Sequence, residues 1–579
     1  RKLREKNNSL KLERKYSYPN FSTLKRKEKD NDEIRKRLYR TTLRLKDHRE
    51  QLKFLKHKEK IMLRSITFRV GQVIVKDSKR PLHWPLLPIK LLRLYLAHRR
   101  NFSNGYMVKT LDFIAKTLDI KKAKTPDVKA KTSEVKEIKS QIDLIKFLDV
   151  NSVTPISSVD SRICYVLHNS LPYASGGYAS RAHGLSRGFI QSGFEVFALT
   201  RPGFPHDVMD IDFSDVIDEE IDGVHYDRIH LPQRKGMPTA NYMESIIDEF
   251  EKKFREIRPS VVIAASFYIT AFPAIVAARR LGLPCIYELR GLAEITRMSR
   301  DKNYKGSADY NTRVRMEAET AKAADHVFTL TEPMFQELVA RGVEVEKISL
   351  LPNSCDENRF SPLERNMTLA DSLGVPSDVP VIGYIGTIVD YEGLDDLVDA
   401  CGLLKNRGVV FRLIIVGSED ATGAIVGNIS TELKKSASTS GLNDWLIMTG
   451  RIPHEEVEDY YSLIDIAPFP RKPWPVCEMV SPMKPLEALA MKKAVIVSSV
   501  SALQAMISDE DTGLVFEKGN VNELADALQR LVENKELRFK LGSNGRTFVQ
   551  SERNWNVTAA KGAVVLRDII SGKNISSER

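Results

Sequence analysis

Short apolar segments alternate with helical segments from residue 161 towards the end of the chain. In the first half the apolar segments are SRICYVL, FEVFALT, SVVIAAS, PCIYEL, HVFTLT and ISLL, and AFPAIVAARRLG is one of the helical segments between them. Short runs rich in Val and Ile are typical of buried strands, and strands that alternate with helices form a parallel sheet covered on both faces. We therefore predict one doubly wound sheet in this half.

The same pattern begins again near residue 380. PVIGYIGTI, VFRLIIVGS, LIMTGRI, DIAPFP and AVIVSSV are typical of strands, and LDDLVDACGLLKNRG is typical of a helix. The predicted fold class is α/β, with two doubly wound parallel-sheet (Rossmann-like) domains facing a cleft, where ligands bind at the carboxyl ends of the strands. We expect an N-terminal extension over 1–155, a first domain over 156–352 and a second domain over 353–550. A helix over 551–579 should cross back to the first domain.

The first 155 residues have a different character. Lys, Arg and Glu dominate 1–60, with leucines too irregular for a sustained heptad, so this part is either a solvated helix or disordered arm, or a partner-binding coiled coil. Residues 81–102 are apolar, contain three prolines and carry basic side chains. They fit either a membrane interface or a helix packed on the main body. The Lys-rich residues 120–143 are typical of a tether.

The formal charge of +12 is unevenly distributed over the 579 residues. Residues 1–150 contain 41 Lys and Arg against 17 Asp and Glu, a net charge of +24, and the other 429 residues have a net charge of −12. The basic extension therefore fits an anionic membrane surface or a protein partner. Nucleic acid ranks below both, because regularly interleaved aromatic residues and a recognisable nucleic-acid-binding module are missing.

The five cysteines are scattered and form no CxxC pair. This is typical of reduced thiols in a cytoplasmic protein, and it gives neither a disulfide framework nor a zinc site. Asp210-Ile211-Asp212 looks superficially like a metal-binding DxD sequence, but it lacks supporting ligands, so we interpret it as a solvated loop. We expect no metal and no cofactor. The expected location is cytoplasmic, peripheral at the inner face of the cell membrane if the extension binds lipid, and a homo-oligomer is compatible with the sequence.

In each of the two predicted sheets, a glycine loop follows the first strand. Gly176 and Gly177 lie in the first loop, and Gly386 and Thr387 lie in the second. Glycine lets the backbone approach a ligand closely, and a following helix offers free N–H groups to an anion. A glycine pair also occurs in ordinary tight turns, but its placement in both halves favours a phosphorylated ligand in the cleft.

The segment over 467–499 combines charged residues with an apolar helix and strand. Arg471 and Lys472 follow a predicted strand, and Lys484 precedes Glu487 by about one helical turn. A cation for phosphate and a carboxylate for sugar hydroxyls are what a nucleotide diphosphate ligand requires. A surface salt bridge is the alternative, which the prolines and apolar flanks disfavour. Ser481, in the same segment, is counted among the donor-binding candidates.

Six segments carry a family resemblance: SGGYASRAHGL, YELRGLAEITR, LLPNSCDENRF, YIGTIVDYEGLDDLVDA, GRIPHEEVEDYYSLIDI and PRKPWPVCEMVSPMKPLEALAMKKAVIVSSV. In their order and spacing, the chain from about Arg162 to Trp555 resembles the retaining glycosyltransferases of family 4, which have the two-domain GT-B fold. The resemblance implies transfer of a sugar from a nucleotide sugar with retained anomeric configuration and without an obligatory metal.

The resemblance also implies roles for residues on the donor side. In such enzymes a glutamate at the start of a helix binds the ribose hydroxyls, which corresponds to Glu487. The basic residues before it neutralise the diphosphate leaving group, which corresponds to Lys484 and Arg471. The base is held by residues after the GRIP strand, here Arg451 and Ile452.

The chain departs from the family pattern in two places. The family has a sugar-contacting glutamate eight residues before the ribose glutamate, where this chain has Met479, with Glu478 one residue earlier as our catalytic candidate. Many relatives have an Arg and a Lys after the second glycine loop, whereas residues 390–392 are Asp, Tyr and Glu. The cations that remain for the diphosphate are Arg471, Lys472 and Lys484.

The segment YELRGLAE places charged residues after a strand of the first domain. We hypothesise that Arg290 and Glu294 help to bind the acceptor or the transferred sugar, and we group them with the catalytic candidates. The alternative is that the two residues form a structural ion pair.

The leading functional prediction is a retaining hexosyltransferase that moves a sugar from a nucleotide-diphosphate sugar to a glycan or lipid-linked acceptor in surface polysaccharide or glycolipid synthesis. Two alternatives stay open. One is a nucleotide-sugar 2-epimerase-like enzyme of the same fold. The other is a non-catalytic scaffold that recruits partners through its basic arm, which the acidic residues at 390–392 favour.

Overall fold

The computed structural model describes residues 136–150, 152–209, 211, 216, 218–301, 303–419 and 427–572. The predicted helical arm, the segment at 81–102 and most of the tether lie outside the described residues, as do Asp210 and Asp212. The predictions of a membrane or protein partner for residues 1–150 therefore stay predictions. In the described part of the chain, no helix combines the length and apolar character that crossing a bilayer requires.

The N-terminal domain contains an eight-stranded sheet in the order β3-β4-β2-β1-β5-β6-β7-β8. All neighbouring strands are parallel except β3 and β4. The strands are β1 (Arg162–Leu167), β2 (Glu195–Thr200), β3 (Glu219–Ile221), β4 (Val224–Asp227), β5 (Val261–Ala265), β6 (Cys285–Leu289), β7 (His326–Thr329) and β8 (Ile348–Leu350). The helices are α1 (Gly177–Gln191), α2 (Thr239–Ser245), α3 (Ile247–Ile257), α4 (Tyr268–Arg280), α5 (Ala293–Met298), α6 (Ala308–Ala323) and α7 (Glu332–Ala340).

The C-terminal domain contains a six-stranded parallel sheet in the order β11-β10-β9-β12-β13-β14. The strands are β9 (Val381–Ile385), β10 (Arg412–Val416), β11 (Leu446–Gly450), β12 (Ile466–Phe469), β13 (Ala494–Ser498) and β14 (Leu514–Phe516). The helices are α8 (Met367–Leu373), α9 (Leu394–Asn406), α10 (Asn428–Thr439), α11 (Val457–Leu463), α12 (Pro475–Met479), α13 (Lys484–Ala490), α14 (Ser501–Gln504), α15 (Val521–Glu533), α16 (Lys535–Glu552) and α17 (Trp555–Ile570).

The predicted fold class is confirmed for the two parallel sheets. The sequence pattern missed the β3–β4 hairpin, because its strands EEI and VHYD are largely polar and lack an apolar run. It also missed β14, a three-residue strand. The last helix, α17, packs against α1 of the N-terminal domain. The contact is so close that a Cβ atom at Gly188 would lie 2.5 Å from the Cβ atom of Ala559. Glycine at this position therefore allows the two helices to meet.

A buried charged network lies beneath the start of α1. The Glu288 carboxylate, at the end of β6, accepts hydrogen bonds from Arg181 Nε at 2.9 Å and Arg290 Nε at 2.7 Å. The Tyr165 hydroxyl donates to the same carboxylate. Burial alone would raise the pKa of Glu288, but the two guanidinium groups outweigh it and hold this pKa below its ordinary value. The network therefore requires Glu288 to be charged.

We predict that Glu288→Gln destabilises the protein, because two buried arginines lose their counter-charge. The expected loss is about 3–5 kcal/mol at pH 7. A carboxyl group with a depressed pKa contributes stability above its unfolded pKa of about 4.3 and loses it as the pH falls. The difference between wild type and variant in urea unfolding should therefore shrink below that pH.

The control for this experiment is Glu195→Gln, which removes a more exposed partner of Arg162, with Glu195 Oε2 2.7 Å from Arg162 Nε. It should cost at most about 1 kcal/mol. Equal losses in both variants would show that the Glu288 network contributes nothing beyond an ordinary surface pair.

Candidate active site

Polar side chains follow the strands of the N-terminal sheet at its carboxyl edge. His168, Arg201, Arg228, Ser266 and Arg290 come directly after β1, β2, β4, β5 and β6, respectively. Because these five strands are parallel, the five residues lie along one edge of the sheet. The edge is therefore polar over most of its width, as a ligand-binding edge of an α/β sheet should be.

The first glycine loop lies on the same edge and faces the C-terminal domain. Gly176 caps α1 and Gly177 begins it, and both are exposed. A Cβ atom at Gly177 would lie 3.5 Å from Met483 Cε, whereas one at Gly176 would meet nothing within 4 Å. The predicted loop therefore stands beside the segment that leads into α13, with open space at Gly176.

Three hydrogen bonds fix the donor loop, which we define as residues 479–481. Thr331 Oγ1, which follows β7, donates to the first carbonyl of the donor loop at 2.5 Å. Arg471 Nη1 donates to the second carbonyl at 2.9 Å, and Asn353 Nδ2 donates to the third at 2.7 Å. The donor loop is therefore held by the N-terminal domain, the C-terminal domain and the connection between them. The predicted Ser481 is its last residue and is buried.

Lys484 and Glu487 lie in the first turn of α13, directly after the donor loop. Lys484 Nζ is 3.0 Å from Glu487 Oε2, and the side chains are 32% and 8% exposed. The Tyr461 hydroxyl donates to the same carboxylate oxygen at 3.4 Å. The structure thus brings together the predicted cation and carboxylate, and it leaves the lysine the more accessible of the two.

Arg359 and His454 extend this group on one side. Arg359 Nη1 lies 2.6 Å from His454 Nε2, and Arg359 Nη2 donates to the carbonyl of His454 at 2.7 Å. Burial lowers the pKa of His454, and the positive charge of Arg359 lowers it further. The imidazole is therefore neutral at pH 7. The predicted base-binding residues Arg451 and Ile452 lie just before it, after β11, where Arg451 is exposed and Ile452 is half-buried.

The second glycine loop follows β9. The Gly386 N–H donates to the carbonyl at the end of β10, and a Cβ atom at Gly417 would lie 1.7 Å from the Gly386 carbonyl oxygen. The Tyr384 hydroxyl donates to the Thr387 carbonyl at 3.1 Å. Gly386 and Thr387 are therefore fixed by backbone contacts at the carboxyl edge of the second sheet.

All three predicted diphosphate cations are paired with carboxylates, Lys484 with Glu487 as described above. Arg471 is 8% exposed, and its Nη2 atom lies 2.6 Å from Glu392 Oε1. Burial opposes its charge, but Glu392 outweighs this and raises the pKa of Arg471. Lys472 pairs with Asp395. The sequence did not predict the partners of Arg471 and Lys472. Arg471 anchors the donor loop, and Lys484 has the most exposed side chain of the three cations, at 32% against 10% and 22%.

Glu478 lies at the end of α12 and contacts the start of α14. Its Oε2 atom accepts hydrogen bonds from Ser501 N at 2.8 Å and Ser501 Oγ at 2.9 Å, and its Oε1 atom lies 2.8 Å from Lys518 Nζ. Burial opposes ionisation of Glu478, but these contacts outweigh it and lower its pKa. The carboxylate is ionised at pH 7, with 26% of its side chain exposed.

Arg290 and Glu294 do not form the ion pair considered as an alternative. Arg290 is 3% exposed and bound to Glu288, while Glu294 is 0% exposed and lies 2.8 Å from Arg341 Nη1. Neither side chain lies open on the edge, so the structure corrects the prediction that both face an acceptor directly. Arg290 instead donates to the Tyr178 carbonyl at 2.9 Å and so supports the first glycine loop from below.

Sequence reasoning missed several residues that organise the site. Arg181 binds Glu288 and also donates to the carbonyls of Leu351 at 2.7 Å and Pro352 at 2.9 Å. Its signal is an arginine on the otherwise small and apolar face of α1. Asn353 and Thr331 each follow a strand of the N-terminal sheet, and that position alone marks them as candidates.

Family models match both domains of the chain. Residues 176–354 match the glycosyl transferase 4-like domain, and residues 367–548 match glycosyl transferases group 1. Together they match more than half of the chain.

Several curated proteins are similar to parts of the chain. The alpha-D-kanosaminyltransferase of Streptomyces kanamyceticus is 24% identical over 35% of this chain and 50% of its own length. The capsular polysaccharide biosynthesis glycosyltransferase CapM of Staphylococcus aureus is 23% identical over 37% and 49%, respectively. The D-inositol 3-phosphate glycosyltransferase of Stackebrandtia nassauensis is 24% identical over 55% and 70%. The chain thus spans about half the length of the first two.

Solved structures show the same fold. The sucrose-phosphate synthase of Thermosynechococcus elongatus superposes with a TM-score of 0.58 at 20% identity, over 71% of this chain and 100% of that one. Anabaena HepE in complex with UDP gives a TM-score of 0.54 at 13% identity, over 70% and 100%. The chain therefore belongs to the glycosyl transferases of group 1, and its two domains have the GT-B fold.

Proposed function

We propose that the chain transfers a sugar from a nucleotide-diphosphate sugar to a glycan or lipid-linked acceptor, with retention of the anomeric configuration and without a metal ion. The relatives make polysaccharide or glycolipid synthesis at the cell surface the favoured role, since CapM is named for capsular polysaccharide biosynthesis. The HepE protein, which has the same fold, was solved with UDP, which supports a nucleotide donor.

The observation that carries the proposal is the Lys484–Glu487 pair beside the fixed donor loop. A nearly buried carboxylate can accept hydrogen bonds from two neighbouring ribose hydroxyls, while the more exposed ammonium meets the diphosphate. Both groups lie in the first turn of one short helix, so their separation is set by the backbone. The pair therefore matches a ligand that has hydroxyls and phosphates next to each other.

The proposed mechanism depends on electrostatics and positioning. As the bond between the sugar and the diphosphate breaks, negative charge builds up on the leaving oxygen, and the Lys484 ammonium stabilises it. The acceptor hydroxyl attacks from the same face, and an oxygen of the departing diphosphate accepts its proton. The three hydrogen bonds to the donor loop hold Lys484 in place before the reaction, so little reorganisation is needed.

We predict that Lys484→Ala and Glu487→Ala each weaken nucleoside diphosphate binding. One lost charge-assisted hydrogen bond costs about 1.5–3 kcal/mol, or roughly 10–100-fold in Kd. Calorimetric titration with UDP and GDP would measure this, together with release of the nucleoside diphosphate from a panel of nucleotide sugars.

The control variant is Lys434→Ala, which removes an exposed lysine on α10 of the same domain. It should leave binding and turnover unchanged. The enzymatic proposal fails if no nucleotide binds to the wild type, or if both site variants behave like this control.

Glu478 is proposed to contact the transferred sugar. We predict that Glu478→Gln lowers kcat by about 100-fold, because the charge that stabilises a positively charged sugar ring is lost. The Kd of the nucleoside diphosphate should not change, since that ligand lacks the sugar. If the variant loses thermal stability and nucleotide affinity together while the chemical step keeps its rate, Glu478 only caps α14.

One observation favours the scaffold as a second candidate. Arg471 and Lys472 are neutralised by Glu392 and Asp395, which leaves less free positive charge for a diphosphate than the sequence indicates. A scaffold of this kind would release no nucleoside diphosphate from any donor. The turnover measurement above therefore separates the two candidates.

A further inference from the structure

A second cationic group lies on the N-terminal sheet, away from the donor loop. It is formed by Arg201, Arg228 and Arg234, which we call the arginine cluster. Arg201 and Arg228 directly follow the neighbouring strands β2 and β4, and Arg234 lies in the loop after β4. The donor loop instead contacts Thr331 and Asn353, which follow β7 and β8 on the other side of β1 in the sheet. Neighbouring strands are about 4.8 Å apart, so β4 lies roughly 10 Å from β1.

Among the residues that the structure describes, one member of the arginine cluster has a side-chain carboxylate partner. Arg201 Nη1 lies 2.6 Å from Asp207 Oδ2, and Arg201 Nη2 donates a second hydrogen bond to Asp207 Oδ1 at 3.0 Å. Arg234 makes no side-chain hydrogen bond or ion pair with any residue that the structure describes, although it is half-buried. Arg234 thus has no direct carboxylate partner among the described residues, and Asp207, which is bound to Arg201, acts on it only at longer range.

Arg228 also has no carboxylate in hydrogen-bond contact with its guanidinium among the described residues, although Glu219 and Asp218 act on it at longer range. It is 4% exposed, and within the described part of the chain its side chain donates to the backbone carbonyls of Leu171, at 2.6 Å, and Asp227, at 3.4 Å. Its Nε atom has no hydrogen-bond partner in the described part of the chain. Asp218 accepts from the backbone N–H of Arg228 and not from its guanidinium. A nearly buried guanidinium with an unused N–H group is costly unless an acceptor fills the position.

The electrostatic effects in the cluster agree with this geometry. Burial lowers the pKa of Arg234, and the charge of Arg201 lowers it further. Burial and both of these arginines lower the pKa of His168 to about 3, so this imidazole is neutral. The cluster therefore brings like charges together at a ligand-binding edge, and a bound anion would relieve their repulsion.

We propose that the acceptor carries an oxyanion, a phosphate or a carboxylate, and that Arg234 binds it at the sheet edge where Arg201 and Arg228 follow β2 and β4. This rests on the proposed function and names the class of its second substrate. The guanidinium fork matches both oxyanions, and a neutral sugar would leave the cluster uncompensated. Because Arg201 and Arg228 follow β2 and β4, one and two strands from β1 and the glycine loop after it, the anionic group belongs to a part of the acceptor other than the reacting hydroxyl.

Three matched probes test the proposal on the full chain saturated with UDP or GDP: octyl glucoside, octyl glucuronide and octyl glucoside 6-phosphate, all below their micelle concentrations. Calorimetry would give their Kd values. We expect at least one anionic probe to bind tenfold or more tightly than octyl glucoside. The carboxylate and phosphate probes distinguish the two oxyanions.

Arg234→Gln should remove most of this preference at an unchanged Tm. Lys235→Gln, which neutralises the exposed neighbouring residue, should keep it. Equal binding of the three probes, or a preference that survives Arg234→Gln, would overturn the proposal. Failure of the proposed function is visible separately, because the wild type would then bind no nucleotide. In that case the Kd values of the three probes are measured without nucleotide, and the same two results, equal binding or a preference that survives Arg234→Gln, would overturn the proposal.

Discussion

The Glu288 carboxylate lies between the buried guanidinium groups of Arg181 and Arg290. Through these two arginines it connects the first glycine loop with the donor loop. Arg290 extends this contact to the backbone beneath the first glycine loop. Arg181 extends it to Asn353 Oδ1 at 3.0 Å, and Asn353 in turn holds the last carbonyl of the donor loop. A charge buried in the N-terminal sheet is thereby linked, through hydrogen bonds alone, to the segment that leads into Lys484. Two arginines around one carboxylate allow a single buried charge to position two separate segments, one through Arg290 and the other through Arg181.

The pairing of cations with carboxylates also determines which cations can interact with a bound diphosphate. The C-terminal domain neutralises Arg471 with Glu392 and Lys472 with Asp395, and it uses the first of these pairs to fix the donor loop. In the proposed mechanism, Lys484, which is paired with Glu487 but has the most exposed side chain of the three cations, is the main cation that stabilises the leaving diphosphate. The N-terminal domain does the opposite at the arginine cluster, where Arg228 and Arg234 lack carboxylate partners among the described residues. The two domains thus differ in whether carboxylates pair with their arginines and lysines at the site. In our proposals the C-terminal domain binds the nucleotide sugar, and the arginine cluster of the N-terminal domain binds an anionic acceptor.

The sequence predicted the two sheets and the Lys484–Glu487 pair well, because both follow from local patterns. Strand alternation needs only a few neighbouring residues, and a separation of three positions in a helix places two side chains together. It could not predict that Arg471 pairs with Glu392, which lies 79 positions earlier, or that Glu294 pairs with Arg341. Those pairings depend on how strands are ordered in the sheet and how helices pack on it. For the same reason Arg181 and Asn353 were missed, since their partners are remote in the sequence.

A crystal structure of the full chain with a bound nucleoside diphosphate would show whether Lys484 and Glu487 bind this ligand. We predict a ribose hydroxyl within about 3 Å of the Glu487 carboxylate and a phosphate oxygen within about 3 Å of Lys484 Nζ. We also predict that the Arg471–Glu392 pair stays intact. A nucleotide bound elsewhere, or a diphosphate held by Arg471 after its separation from Glu392, would contradict these predictions.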